Sequence, residues 1–180
     1  LNYAYYSGYH FGLMTYELEQ PDFTNAQEYY RNLGNKNDFS TFLKGNFELP
    51  LGADPDNFLK FFGDMQYRHI NMMLEGPDND GALLDHQSSY HFFNPKAGVT
   101  AVIKKDHQLY VSVYTGSREP SRSDIKESIK AGKTEELKPE RMYDFEGGYR
   151  LTSSRFMLGL NFYAMEYRNQ LVPTGKKSDT

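Results

Sequence analysis

Two carboxylates two residues apart, Asp144 and Glu146 in the stretch MYDFEGGYR, are the first pair in this chain that could do chemistry. Paired carboxyl groups on either side of a bond can act as acid and base, or as acid and nucleophile, at the right separation. The spacing here puts both on one face of an alternating segment, side by side against solvent. That is the wrong arrangement for gripping a bond from two sides, and we expect no enzyme. The five histidines are His10, His69, His86, His91 and His107, and no two have a metal-ligand spacing such as HExxH. His69 and His91 are the pair that folding could bring together, but solvated or interfacial histidines are the commoner case, so no metal is expected. Asp78 to Gly81 reads DNDG, faintly like a calcium loop, yet it lacks the spaced acidic ligands and the closing glutamate. No phosphate loop and no nucleophile elbow is present, and no cofactor is expected. A denser charged group, Arg118, Glu119, Arg122 and Asp124, lies in SREPSRSD. It could shape a ligand vestibule. The plainer reading is a set of ion pairs pinning a loop to a neighbouring strand.

Around these groups the chain has 180 residues, 24% charged, 38% hydrophobic, with a net charge of −4. That balance gives no electrostatic reason to expect nucleic acid. There is no cysteine, which excludes a disulfide scaffold, a cysteine zinc site and a thiol nucleophile. The 15 tyrosines and 13 phenylalanines stand beside no tryptophan. Mean hydropathy is −0.74, and no apolar run approaches the roughly 18 residues of a spanning helix. The chain opens at Leu1 without a signal peptide, as a mature protein or an excised segment would. Low hydropathy is compatible with a membrane barrel, whose strands alternate.

Alternation is what positions the polar groups. In TAVIKKDHQLYVSVY, Ala101, Ile103, Leu109, Val111 and Val113 fall on one side. Thr100, Lys104, Gln108, Tyr110, Ser112 and Tyr114 fall on the other, with Val102 the exception. This is a hairpin with a tight turn over Lys105 to His107. Phe39 to Leu49, Leu59 to Arg68, Phe92 to Lys104, Met142 to Leu151 and the longer Arg155 to Val172 also alternate. Asp64, Gln66, Arg68, Lys96, Asp144, Glu146 and Arg150 all fall opposite the apolar side. Leu1 to Tyr6 and Tyr9 to Leu18 read as strands, and Ala26 to Asn32 as a helical turn or loop. The expectation is six strands, eight at most. Seven tyrosines (67, 110, 114, 143, 149, 163 and 167) are candidates for interfacial aromatic belts.

The connections are expected to alternate in length. Thr152 to Ser154 is tight and Pro50 to Asn57 somewhat longer, against long excursions over Met72 to Tyr90 and Ser117 to Arg141. From Thr115 to Arg141, 13 of 27 residues are charged, with a helical turn expected near Asp124 to Lys130. Sorting of loops by parity is the habit of an up-and-down outer-membrane barrel. Period and composition alone still leave two readings open: a soluble antiparallel sheet with a wet outer face, and a membrane barrel with a wet lumen.

The stretches FFNPKAGVTAVIKKDHQLYVSVYTGSREPSRSD, LKPERMYDFEGGYR and LNFYAMEYRNQLVPTG, with YHFG and GDMQYRHI upstream, resemble the later barrel strands of TonB-dependent outer-membrane receptors. The resemblance covers nearly the whole chain, more weakly before Phe39. It implies an all-β fold, an antiparallel up-and-down transmembrane β-barrel segment of about six to eight strands out of about 22. Residues 1–180 would then be a partial barrel domain without its plug domain, and the end GKKSDT lacks the terminal aromatic usual for such barrels.

What the resemblance implies about function is active transport of a scarce nutrient across the outer membrane of a Gram-negative bacterium. The ligand would be of ferric siderophore, haem or cobalamin type, and TonB would energise its import through the plug. The implied partners are TonB, the plug, the small-molecule ligand and outer-membrane lipid. The residues named above on the polar strand face, with Arg118, Glu119, Arg122 and Asp124, become candidates for ligand or plug contact. The alternatives are a glycan-importing receptor of the same family, a small closed eight-stranded outer-membrane barrel, and a soluble β-sandwich binding module. A cut sheet has two open edges, so the segment alone is expected to aggregate or to depend on detergent.

Overall fold

The computed structural model describes residues 1–14 and 27–171. They form seven strands: β1 (Asn2–Met14), β2 (Gln27–Pro50), β3 (Phe58–Pro77), β4 (Leu83–Ile103), β5 (His107–Arg118), β6 (Glu140–Thr152) and β7 (Met157–Arg168). The strands hydrogen-bond in chain order as one up-and-down sheet, with β1–β2, β4–β5, β5–β6 and β6–β7 paired antiparallel. Among the described residues one α-helix, α1 (Arg122–Lys130), lies in the β5–β6 connection, followed by a short 3-10 turn over Thr134–Glu136. No helix among them is long and apolar enough to cross a membrane.

Two readings of the N-terminal part change. Residues 2–14 are one strand rather than two, and the second of those expected strands runs on past 14 into residues outside those described. The stretch from Gln27 to Asn32 is the start of β2, paired with β1, and neither helical nor loop. The expected excursion over Met72 to Tyr90 is also replaced. β3 runs on to Pro77 and β4 starts at Leu83, joined by a five-residue turn. In that turn the Asp78 N–H donates to the Ala82 carbonyl at 2.8 Å, and Gly81 takes φ +83°. The period of two continues through this stretch, but the adjacent pairs Met72–Met73 and Leu83–Leu84 put apolar residues on both faces, so apolar spacing does not reveal it. With strands rising about 3.3 Å per residue and about 9–11 residues enough to cross a bilayer, β2, β3 and β4 are each long enough to cross and continue well beyond.

The β4–β5 turn is Lys104 to Asp106, with Lys104 and Lys105 in the left-handed region (φ 52° and 62°). That conformation normally asks for Asn-Gly. Here the neighbouring β2–β3 turn braces it: the Lys104 N–H donates to Asn57 Oδ1 at 2.8 Å, and Lys105 pairs with Asp56 at 2.9 Å.

By contact the chain forms two compact units. The first comprises Leu1–Ser40, Arg68–His91 and Ser121–Leu137; the second Thr41–Tyr67, Phe92–Pro120 and Lys138–Thr180. In the second unit the apolar faces do not stack into a core. Leu109, Val111, Val113, Phe145, Leu158 and Leu160 are all about half exposed, and Phe162 is 73% exposed. The register aligns them: Val99 faces Val111, Val113 faces Phe145, and Phe145 faces Ala164. Val102, the apolar exception on the polar face, is buried opposite Gln108. The first unit holds a hydrophobic cluster, Leu74, Leu84 and the fully buried Ile125, with Met72, Ile129 and Leu137 against it.

Along β2, β3 and β4 the odd-numbered face changes character. In the second unit it carries Leu43, Phe47, Phe61, Met65, Tyr67 and Phe93, and in the first His69, Asn71, Asn35, Asn37, Gln87 and Ser89. Within the first unit the Arg68 guanidinium grips Asp38 through Nε at 3.0 Å, and the His69 and His91 rings meet at 4.3 Å, tilted by 32°.

Candidate functional site

The polar face of the second unit gathers three of the expected residues around one cleft of about 270 Å³. Asp64 pairs with Lys44 at 3.1 Å, and the Asn94 amide donates to Gln66 Oε1 at 3.1 Å. Lys96 lies over the Phe62 ring at 5.8 Å, and Tyr114, its register partner on β5, closes the cleft. Alternation sends these side chains to one side because each strand contributes residues two apart: Asp64 and Gln66 from β3, Asn94 and Lys96 from β4. Lys44, Asn94 and Tyr114 were not among the expected site residues, although Lys44 and Tyr114 share the same period.

The face continues onto β6 and β7. Asp144 is buried opposite Tyr114, and its Oδ1 is buried without a hydrogen-bond partner, as is Asn94 Oδ1. Glu146 lies between Ser112 and Tyr163, and Arg150 between Gln108 and Gly159, both exposed. Gly148 belongs to this surface for a steric reason. A Cβ there would meet Tyr110 Cε1 at 2.6 Å and the Leu160 carbonyl at 2.7 Å, where Tyr110 donates to Asn161 at 2.9 Å. Four of the seven belt tyrosines (110, 114, 163 and 167) pair with polar-face positions rather than the apolar stripe. Tyr149 stays on the apolar side and meets His107 Nδ1 at 2.6 Å.

The remaining expected residues do not form one cluster. Arg68 is held by Asp38. Arg118 pairs across the ladder with Glu140 at 3.0 Å, and Glu119 sits half-buried beside the buried Pro120. Asp124 caps α1: its carboxylate accepts from the Ser121 N–H at 2.9 Å, and its own N–H donates to Ser121 Oγ. Arg122 donates to Asn32 Oδ1. On one stripe of the helix, four residues apart, Lys126 and Lys130 follow it, pairing with Asp78 at 2.5 Å and Asp80 at 2.7 Å. The DNDG stretch is thus the turn that receives the helix. Gly34 makes room for it: a Cβ would lie 3.1 Å from Arg122 Nη1. Burial pushes the Asp78 carboxyl up, but hydrogen bonds from Lys126 and the Asn79 backbone, with the Lys126 charge, outweigh it and hold the group below its ordinary value. The Lys130 hydrogen bond lowers Asp80 in the same way, and Asp80 raises Lys130. Sequence reasoning missed this latch, although the basic i, i+4, i+8 spacing and the acidic turn were both legible. Among the described residues no three His, Asp or Glu side chains are placed to hold a metal.

A meandering antiparallel sheet with one exposed oily face and one hydrogen-bonded polar face is the wall of a β-barrel that crosses a membrane, since the oily face needs lipid and the polar face a wet interior. The chain belongs to the TonB dependent receptor-like, beta-barrel family, whose model matches residues 1–179. Proteins of that family are receptors of the outer membrane that act in TonB-linked transport of small molecules. No curated protein and no solved structure matches the chain.

Proposed function

We propose that this chain is barrel wall and outer loop of a receptor that captures a scarce nutrient of ferric siderophore, haem or cobalamin type and imports it when TonB acts on the plug. The long β5–β6 connection with its helix faces outward and the β4–β5 and β6–β7 turns face the periplasm, as the longest and tightest connections do in this architecture. The polar face around Asp64, Gln66, Lys96 and Asp144 then lines the import path and meets the plug. The observation that supports this most is the pair of buried acceptors without partners, Asn94 Oδ1 and Asp144 Oδ1. Buried acceptors are costly unless a donor completes them, and in a barrel that donor comes from plug, ligand or water.

The test is uptake by cells carrying the full-length receptor with Asp64→Ala plus Lys96→Ala. Labelled ferric siderophore, haem, cobalamin and a glycan mixture are supplied separately. A fall of about tenfold or more in uptake of one of the first three, at unchanged surface expression, is expected. Uptake confined to the glycan would favour the glycan-importing reading. Unchanged uptake of every ligand would remove these residues from the path.

A further inference from the structure

On the oily face of β5, β6 and β7, all within the second unit, the register stacks three rows of side chains. Val113, Phe145 and Ala164 form the first, Thr115, Tyr143 and Glu166 the next, and Ser117, Arg141 and Arg168 the last. Successive rows are about 7 Å apart, two residues of strand rise. The face therefore passes from apolar side chains, through a tyrosine, to two cations, in the order of acyl chain, interface and headgroup. Arg141 and Arg168 lie directly opposite each other in the ladder. Like charges so placed, rooted about 5 Å apart, repel unless an anion joins them. Arg168 lies over the Tyr143 ring at 5.1 Å and bonds Glu166 through its Nε alone, at 3.1 Å. The Arg141 guanidinium has no partner among the described residues. Both arginines line a cleft of about 180 Å³ with Ser117, whose Oγ is buried without a hydrogen-bond partner. Glu140 is the one acid on that lining, and Arg118 holds it at 3.0 Å, so positive charge is left over. At about 30 Å³ per water, the space is that of roughly six waters, enough for a phosphate group and too small for a drug-sized ligand.

We propose that Arg141, Arg168 and Ser117 clasp a phosphate on the headgroup of an outer-leaflet lipid, whose acyl chains lie along the Val113–Phe145–Ala164 side of the same strands. Guanidinium forks match phosphate oxygens, and the serine hydroxyl supplies a further donor. The phosphate neutralises the facing arginines, and the apolar rows below favour a lipid over a free anion. The choice of leaflet rests on the outward orientation proposed above. Labelling of a Glu135→Cys receptor by a membrane-impermeant maleimide on whole cells tests that orientation separately.

Lipid A, its dephosphorylated form and phosphatidylglycerol are each titrated into the full-length receptor in a neutral detergent, and bound lipid is counted by native mass spectrometry. Lipid A is expected to bind tightest, and glucosamine 1-phosphate in large excess is expected not to displace it. Arg141→Gln removes a guanidinium that holds nothing else, and lipid A affinity is expected to fall about tenfold, the effect of one charge-assisted hydrogen bond. Lys138→Gln, which removes an exposed cation nearby in sequence, is expected to change nothing. Equal affinity for dephosphorylated lipid A or phosphatidylglycerol, displacement by glucosamine 1-phosphate, full affinity in Arg141→Gln, or an equal fall in Lys138→Gln overturns the proposal. Should Arg141→Gln not fold, Ser117→Ala takes its place, with a loss of about fivefold expected and full affinity overturning.

Discussion

The two units of this chain use opposite solvents. The first excludes water in the ordinary way: Ile125 of α1 closes over Leu74 and Leu84, and ion pairs ring the cluster. The second keeps its large apolar side chains on the surface and buries few of them, Phe92 and Val102 among the described residues. The same alternating backbone serves both, and what differs is the medium the odd-numbered face is written for. Apolar burial is worth about 25 cal/mol per Å² when water is what is excluded. In lipid that term vanishes between chains, and pairing of the strand backbone carries the fold instead.

The comparison can be broken from either side. The largest effect is expected in the first unit. Lys126→Met leaves Asp78, whose side chain is 2% exposed, without its cation. Removing one partner of a buried pair costs about 3–5 kcal/mol. Proteolysis and hydrogen exchange over residues 119–139 should rise sharply while the β5–β7 ladder stays protected. Next comes Val111→Lys in the apolar stripe, expected to cost about 2–4 kcal/mol near the bilayer midplane. Asn71→Lys, on the same class of face in the first unit, should be nearly neutral. Equal costs, read from unfolding of the receptor in lipid vesicles, would mean both faces see one medium.

Acid gives a smaller effect confined to the first unit. Asp78 and Asp80 are held below their ordinary values. The stabilisation they bring is complete above the ordinary carboxylate range and is lost as pH falls through their lowered values. Exchange of α1 amides should therefore quicken below about pH 4, with β6–β7 amides unchanged. The smallest effect is Arg118→Gln. Its ion pair with Glu140 is 72% exposed on the arginine side, so the loss is about 0–1 kcal/mol in thermal unfolding.

How much of this was legible depended on whether the two faces of a strand contrast. Where they do, at Leu109 to Val113 or Tyr143 to Leu151, period two fixed strand and face together, while the register came only from the pairing itself. Where apolar residues fall on both faces, as at Met72–Met73 and Leu83–Leu84, the strand was invisible and a long loop took its place. A helical turn was expected near Asp124 to Lys130 in the charged loop; the helix found, Arg122–Lys130, starts two residues earlier, at a Ser121 cap that was not foreseen. Its landing site was not, because Asp78 and Asp80 lie far from it in sequence and nothing local couples them. On the polar face, Asp64, Gln66 and Lys96 were readable by parity. Asn94 was overlooked because an amide in an aromatic-rich stretch carries no charge to mark it.

Three side chains on one helical stripe, Arg122, Lys126 and Lys130, tie the β5–β6 connection down over a core of only a few apolar residues. A tether made largely of opposite charges answers to dissolved ions in a way that grease does not: the screening length shrinks from about 30 Å in dilute water to about 3 Å in molar salt. With the helix end outward, as proposed above, dissolved salt around the cell would loosen this flap of the receptor.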